Sequence, residues 1–75
     1  MHHEDDPCRY TSYRDAQRFA VQSRSPLVTV RGGGPGRGGP CEAFTAHGYV
    51  GMESETVAAM RSWVKTGAVP RDVVR

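Results

Sequence analysis

The sequence lacks several features that would indicate a function directly. It has no apolar run of roughly 18 residues, the length that a membrane-spanning helix needs, so we expect no membrane association. Its formal net charge of +2 is too small to indicate nucleic acid or an anionic membrane as a partner. The phosphate-loop pattern ending in Gly-Lys-Ser/Thr is absent, and so is the Gly-x-Ser-x-Gly elbow of a hydrolase nucleophile. Function must therefore be argued from other residues.

Cofactor signals are equally sparse. The chain has five histidines and cysteines, but no Cys-x2-Cys or His-x3-His pair fixes two metal ligands on one turn; they are His2, His3, Cys8, Cys41 and His47. The series Gly34-x-Gly36-x-x-Gly39 matches a dinucleotide fingerprint in spacing, but Pro40 prevents the long helix that this fingerprint requires. We therefore expect no metal and no cofactor.

The length of 75 residues limits the chain to one small α/β domain with a thin core. Two cysteines, Cys8 and Cys41, could form a disulfide or remain free thiols, and the sequence leaves both open. The N-terminal residues 1–7 are polar and acidic with no apolar run behind them. We expect no secretory signal, and a cytoplasmic location by default.

Helical signals occupy two stretches. Ser12 offers an N-cap and Ser25-Pro26 an end, which predicts a helix from about 13 to 23. Its apolar stripe comprises Tyr13, Ala16, Phe19 and Ala20. A second helix is expected to begin at a Ser54 cap and to stop at Gly67. Its expected inner stripe comprises Val57, Met60 and Val64, widened by Ala59 and Trp63.

Between the helices lies one convincing strand, Leu27-Val28-Thr29-Val30, which has the β-branched character of a buried parallel strand. Residues 31–42 form a loop rich in glycine and proline, with almost no side chains to bury, and are predicted to be flexible. Residues 1–10 look irregular, and residues 70–75 give only a slight extended signal. A lone strand leaves backbone groups unpaired, so we expect self-association, pairing with a weak second strand, or membership of a larger sheet.

The candidate functional residue is His47, which lies between small residues on a loop before the second helix. Because an unperturbed imidazole titrates near neutral pH, an oriented His47 could act as a general base. The orienting acid could come from Asp5 or Asp6, which stand on a turn before Pro7. The five serines are explained as helix caps or exposed helix positions, so no nucleophile is identified.

The order of these motifs resembles the C-terminal part of an α/β-hydrolase, and most closely the tripeptidyl aminopeptidase-like C-terminal domain of serine peptidases and esterases. The resemblance spans roughly residues 5 to 70. The residues that carry it are Asp6-Pro7, Thr11-Ser12-Tyr13-Arg14-Asp15-Ala16, Ser25-Pro26-Leu27-Val28-Thr29-Val30-Arg31-Gly32-Gly33-Gly34, His47-Gly48-Tyr49-Val50-Gly51 and Gly67-Ala68-Val69-Pro70.

This resemblance implies that Asp6 is the acid and His47 the base of a catalytic triad whose serine lies outside the chain. Three features depart from the family pattern: extra residues after Pro7, the insertion from Pro35 to Ala46, and the missing half that carries the nucleophile. The expected function is that of a hydrolase fragment, inactive alone, whose partner is the other half of a hydrolase. The alternative is a small module that binds protein or RNA through Arg31 and Arg37, although nucleic acid is the less favoured partner.

Overall fold

The computed structural model describes residues 1–75 and arranges them as a small α/β unit with two helices and a three-stranded sheet. Along the chain the elements are β1 (His2–His3), α1 (Tyr13–Ser23), β2 (Thr29–Arg31), a 3₁₀ turn (Ala46–Gly48), α2 (Glu53–Thr66) and β3 (Asp72–Val74).

The sheet is wholly parallel, with β2 in the centre and β1 and β3 at its edges. Val30 faces His3 on one side and Val73 on the other. The expectation of a single convincing strand is therefore wrong. The two edge strands are too short to show a period of two in the sequence, and they become strands by pairing with β2.

Helix α1 has the predicted bounds. The Ser12 hydroxyl accepts a hydrogen bond from the Asp15 backbone N–H at 3.2 Å, which satisfies one of the unpaired donors at the helix start. At the other end Arg24 adopts a left-handed conformation, and its N–H closes the last turn. The last helical residue, Ser23, thus lies three positions before Pro26.

The core is small and lies on one face of the sheet. Val30, Met52 and Val73 form its buried cluster, and Ala59 from α2 packs against it. Thr29 points to the opposite face, because side chains alternate along a strand, and its hydroxyl bonds the Tyr13 hydroxyl of α1 at 2.5 Å. The two helices therefore lie against opposite faces of the sheet.

The predicted packing of the helices needs correction. Val57, Trp63 and Val64 of the expected inner stripe of α2 are more than half exposed, and α1 buries no residue at all, with Phe19 exposed. The buried residue of α2 is instead Thr56. Helical periodicity identifies an apolar face, but it does not show which structure covers that face.

The ends of α2 also differ in part from expectation. Its N-cap is Met52, which makes no side-chain capping bond, and the helix starts at Glu53 rather than after Ser54. Gly67 ends the helix in a left-handed conformation with φ of 74°, as predicted. Neither helix has the length and apolar character needed to cross a bilayer.

Candidate acid–base site

The two residues singled out in the sequence, Asp6 and His47, meet at the carboxyl end of the sheet. The Nδ1 atom of His47 lies 3.2 Å from Asp6 Oδ1 and 3.1 Å from Asp6 Oδ2. The Asp6 side chain is 3% exposed, and that of His47 is 30% exposed. An imidazole and a carboxylate 41 residues apart in sequence thus form a close pair at a partly accessible edge.

Asp6 is held by the turn that carries it. Its Oδ1 accepts a hydrogen bond from the Cys8 backbone N–H at 2.9 Å, and its Oδ2 accepts one from the Thr11 hydroxyl at 3.0 Å. The first bond is the local side-chain turn that Asp-Pro chemistry favours. Both bonds orient the carboxylate toward His47.

His47 occupies the middle of the 3₁₀ turn, and Thr45 begins that turn. The buried Thr45 hydroxyl accepts a hydrogen bond from the His47 backbone N–H at 3.2 Å and donates one to the Glu42 carbonyl at 2.8 Å. Tyr49 ends the turn with φ of 60°, and its hydroxyl donates to the Met1 carbonyl at 2.9 Å. These contacts tie the histidine loop to the start of β1.

Electrostatics at the site favour an ionised Asp6. Burial raises the pKa of the carboxyl group, but hydrogen bonds from the Cys8 N–H, His47 and Thr11, together with the charge of His47, outweigh burial and hold the pKa below its ordinary value of 3.8. Burial, assisted by the negative charge of Asp6, raises the pKa of the nearby Tyr49 hydroxyl. Asp6 is therefore a carboxylate at neutral pH, and Tyr49 is a neutral phenol.

A disulfide between Cys8 and Cys41 joins the two segments that carry the site. Cys8 follows Asp6 by two residues, and Cys41 precedes the Glu42 carbonyl that holds Thr45. The sequence left this pairing open. Such bonds persist in oxidising compartments and are rare in cytosolic proteins.

His3 and Asp5 have structural roles beside the site. The His3 Nδ1 atom accepts a hydrogen bond from the Asp5 backbone N–H at 2.9 Å, so Nε2 carries the proton and donates to the Gly32 carbonyl at 2.8 Å. His3 is only 3% exposed. This imidazole anchors the acidic turn to the start of the glycine-rich loop.

The glycine-rich loop is closed by backbone contacts. The Gly34 N–H donates to the Val50 carbonyl at 3.0 Å, and Gly33 and Gly51 both have positive φ where the two segments approach. A Cβ on Gly51 would collide with the backbone of Gly34. The glycines therefore allow the loop to pack closely against the segment after His47.

The two arginines of the loop make separate contacts. Arg31 lies 3.4 Å from Asp72 and 3.8 Å from Glu4, whereas Arg37 stacks over the Phe44 ring at 5.2 Å. The charge of Arg31 is thus balanced by two carboxylates. This arrangement does not favour a binding site formed by Arg31 and Arg37 together.

No group of three or more His, Cys, Asp or Glu side chains is arranged so that it could hold a metal ion. None of the serine side chains hydrogen-bonds with His47. The site therefore contains an acid and a base, and the chain places no hydroxyl nucleophile on the outer nitrogen of that base.

Sequence reasoning missed two residues of the site. Thr11 has no predicted contact with the pair and stands only as the first residue of the motif Thr11–Ala16, yet its hydroxyl lies 3.0 Å from both Asp6 Oδ2 and His47 Nδ1. His2 was considered only as a metal ligand, yet its Nε2 lies 2.9 Å from Asp6 Oδ2. No sequence pattern predicts either contact, because both contacts depend on how the turn after β1 folds back.

Comparison with known proteins adds no relative to this description. No protein-family model, no curated protein and no solved structure matches the chain.

Proposed function

We propose that this chain supplies the acid and the base of a serine-hydrolase triad, in an enzyme of the α/β-hydrolase class that acts as a peptidase or esterase. In this proposal Asp6 is the acid, His47 is the base, and the serine comes from another polypeptide segment. The fold would be a partial α/β-hydrolase unit similar to the tripeptidyl aminopeptidase-like C-terminal domain. The chain alone is inactive.

The observation that carries the proposal is the orientation of the imidazole. Its Nδ1 atom faces both oxygens of a buried, ionised carboxylate, so Nδ1 carries the proton and Nε2 holds the lone pair. Nε2 has no hydrogen-bond partner within the chain, and the side chain is partly exposed. A general base must present that nitrogen to the hydroxyl that it deprotonates.

In the proposed reaction His47 Nε2 takes the proton of the incoming serine as its oxygen attacks the scissile carbonyl. The imidazolium then donates this proton to the leaving group, and the Asp6 carboxylate stabilises the transient positive charge. The Thr11 hydroxyl and the Cys8 N–H keep the carboxylate in place during this cycle. Water then attacks the acyl-enzyme with the same proton transfers through His47, and the acyl group is released.

Exposed apolar surface supports a partner. Phe19 and Val21 on α1 and Trp63 and Val64 on α2 are each more than half exposed, and β1 and β3 leave both edges of the sheet open. A serine-bearing segment that extended the sheet would cover such surface and bring a nucleophile to His47. Self-association through a strand edge is the other way in which the open edges of the sheet could be paired.

The test uses the affinity-tagged chain expressed in its natural host, recovered together with whatever binds it. A fluorophosphonate probe, which reacts with activated serines, is expected to label a serine of the partner in the wild-type complex. The His47→Ala complex should retain the partner and lose both this labelling and hydrolysis of nitrophenyl esters or aminoacyl anilides. The alanine variant is the matched control because it removes the base and leaves the apolar faces unchanged.

Two results would count against the proposal. A wild-type complex that neither reacts with the probe nor hydrolyses these substrates would remove the hydrolase assignment. Turnover by the pure 75-residue chain, lost on His47→Ala, would overturn the statement that the chain is inactive alone.

A further inference from the structure

Asp6 has a second imidazole beside it. The Nε2 atom of His2 lies 2.9 Å from Asp6 Oδ2, on the carboxylate oxygen that also faces His47 Nδ1 at 3.1 Å. An acid–base pair needs only one imidazole on its carboxylate. The presence of His2 on the same oxygen therefore calls for an explanation of its own.

The proton on His2 can be assigned from its neighbours. Nε2 forms a short hydrogen bond with the backbone carbonyl of Thr11, and its other close neighbour is the Asp6 carboxylate. Both neighbours are acceptors, so Nε2 carries the hydrogen and donates it to Thr11. The His2 side chain is 20% exposed, and its ring lies 6.3 Å from that of Tyr13 on α1.

Thr11 connects His2 to the pair. The Thr11 hydroxyl donates to Asp6 Oδ2 at 3.0 Å and lies 3.0 Å from His47 Nδ1. The direction of this hydroxyl depends on the position of the Thr11 backbone. His2 fixes that position through its hydrogen bond to the Thr11 carbonyl. His2 is itself held in β1, where its N–H donates to the Val28 carbonyl at 2.9 Å.

We propose that His2 is a positioning residue for the Asp6–His47 pair. Its Nε2–H holds the Thr11 carbonyl, so that the threonine hydroxyl stays in contact with both Asp6 and His47. The consequence for hydrolysis rests on the proposed function, whereas the role of His2 in the geometry does not.

The experiment is nuclear magnetic resonance on the oxidised chain alone, labelled with ¹⁵N in its histidines. It measures how fast the His47 Nδ1 proton exchanges with water, because that proton is protected only while the pair is closed. His2→Phe keeps an aromatic ring and removes the donor, whereas His2→Gln keeps a side-chain N–H. We expect faster exchange in His2→Phe and a rate near that of the wild type in His2→Gln.

A double-mutant cycle tests the route through Thr11. Thr11→Val removes the bridging hydroxyl and preserves the shape of the side chain, so it should also speed the exchange. If His2 acts through Thr11, adding His2→Phe to Thr11→Val should speed the exchange further by much less than His2→Phe does in the wild type. Additive effects would overturn the proposal, as would equal rates in the wild type and His2→Phe.

Two further results would overturn the proposal. A His2→Gln variant as impaired as His2→Phe would show that a side-chain N–H at this position does not hold the pair closed. In the wild type, the ¹⁵N spectrum must show a proton on His2 Nε2, and an Nε2 without a proton would overturn the proposal even if His2→Phe did not fold. Since no serine is involved, failure here leaves the hydrolase proposal intact, and failure of the hydrolase assay leaves this result intact.

Discussion

The carboxyl end of the sheet is densely hydrogen-bonded and cross-linked, whereas the outer faces of the two helices are largely exposed to solvent. At the carboxyl end the single carboxylate of Asp6 accepts hydrogen bonds from Cys8, Thr11 and His47. The Cys8–Cys41 disulfide joins the segment that carries Asp6 to the segment that carries His47. On the outer faces Phe19 and Trp63 lie in solvent, 68% and 57% exposed. Most of the order in the chain is therefore concentrated around one polar pair, and its apolar surface is left for another structure to cover.

This difference indicates where the stability of the isolated chain resides. Only eight of the 75 residues are buried, and four of the eight are His3, Thr29, Thr45 and Thr56, which are polar. Such a core supplies little hydrophobic stabilisation. Cross-links and hydrogen bonds at the carboxyl end should therefore matter more for stability than the exposed helix surfaces, and matched substitutions in the two regions can test this.

The largest effect is expected from removing the disulfide. The bond between Cys8 and Cys41 spans 33 residues, and the loop-entropy relation gives about 4 kcal/mol for a loop of that size. Urea denaturation of Cys8→Ser/Cys41→Ser should show a loss of this order in the free energy of unfolding. A reducing agent should lower the stability of the wild type and leave that of the double variant unchanged. Equal stability with and without reductant in the wild type would contradict the expectation.

A smaller difference should separate two methionines. Met52 is fully buried in a cluster with Val30 of β2 and Val73 of β3, whereas Met60 on α2 is 43% exposed. Met52→Ala leaves a cavity and should cost about 3 kcal/mol of unfolding free energy, while Met60→Ala should cost less than about 1 kcal/mol. Chemical denaturation of both variants provides the comparison. Similar losses at the two positions would mean that the face of α2 bearing Met60 is covered in solution.

Two glycines distinguish crowding from backbone strain. Gly51 and Gly67 have nearly equal positive φ, 76° and 74°, but only Gly51 faces neighbouring backbone where a Cβ would stand. Gly67→Ala should cost about 1 kcal/mol from the left-handed conformation, and Gly51→Ala about 2 kcal/mol or more, since the collision adds to that strain. Thermal or urea unfolding measures both. Equal costs would show that the loop yields at Gly51.

How much of this could be predicted from sequence depends on the range of the interaction. Local signals identified α1, from the Ser12 cap to the end before Pro26, and the Asp6 turn, because capping and Asp-Pro chemistry act within a few residues. The pairing of β1 with β2 could not be predicted from the sequence, since the two residues His2–His3 are too few to show the alternating pattern of a strand.

The residues of the site also divide into those with local sequence signals and those that only the folded chain brings together. Asp6 and His47 were identified by their local contexts and by the order of motifs, and the structure brings them together. The roles of His2 and Thr11 were missed because each arises from a contact across the folded turn, with no spacing rule behind it. The disulfide stayed open for the same reason: two cysteines in a sequence do not reveal the distance between them.

The smallest of the four effects is the stability that the charge of Asp6 contributes. It can be recognised by its dependence on pH. The pKa of Asp6 is lowered from 3.8 in the folded chain, so the stability that its ionised form contributes is present above that pH. This contribution is lost as the pH falls below 3.8 toward the lower folded value. Asp6→Asn should cost about 1 to 2 kcal/mol at neutral pH, because the hydrogen bonds to an ionised carboxylate are lost.

This deficit of Asp6→Asn should shrink on acidification, since the protonated wild-type side chain resembles the amide. Urea unfolding at a series of pH values measures the difference. Asp15 provides the matched control, because its carboxylate is 61% exposed and lies 3.8 Å from Arg18 on the surface of α1, where an ion pair contributes little. Asp15→Asn should therefore leave the pH dependence as in the wild type. A deficit of Asp6→Asn that stays constant from neutral to acidic pH would show that the carboxylate contributes shape and not charge, which would also weaken its assignment as the acid beside His47.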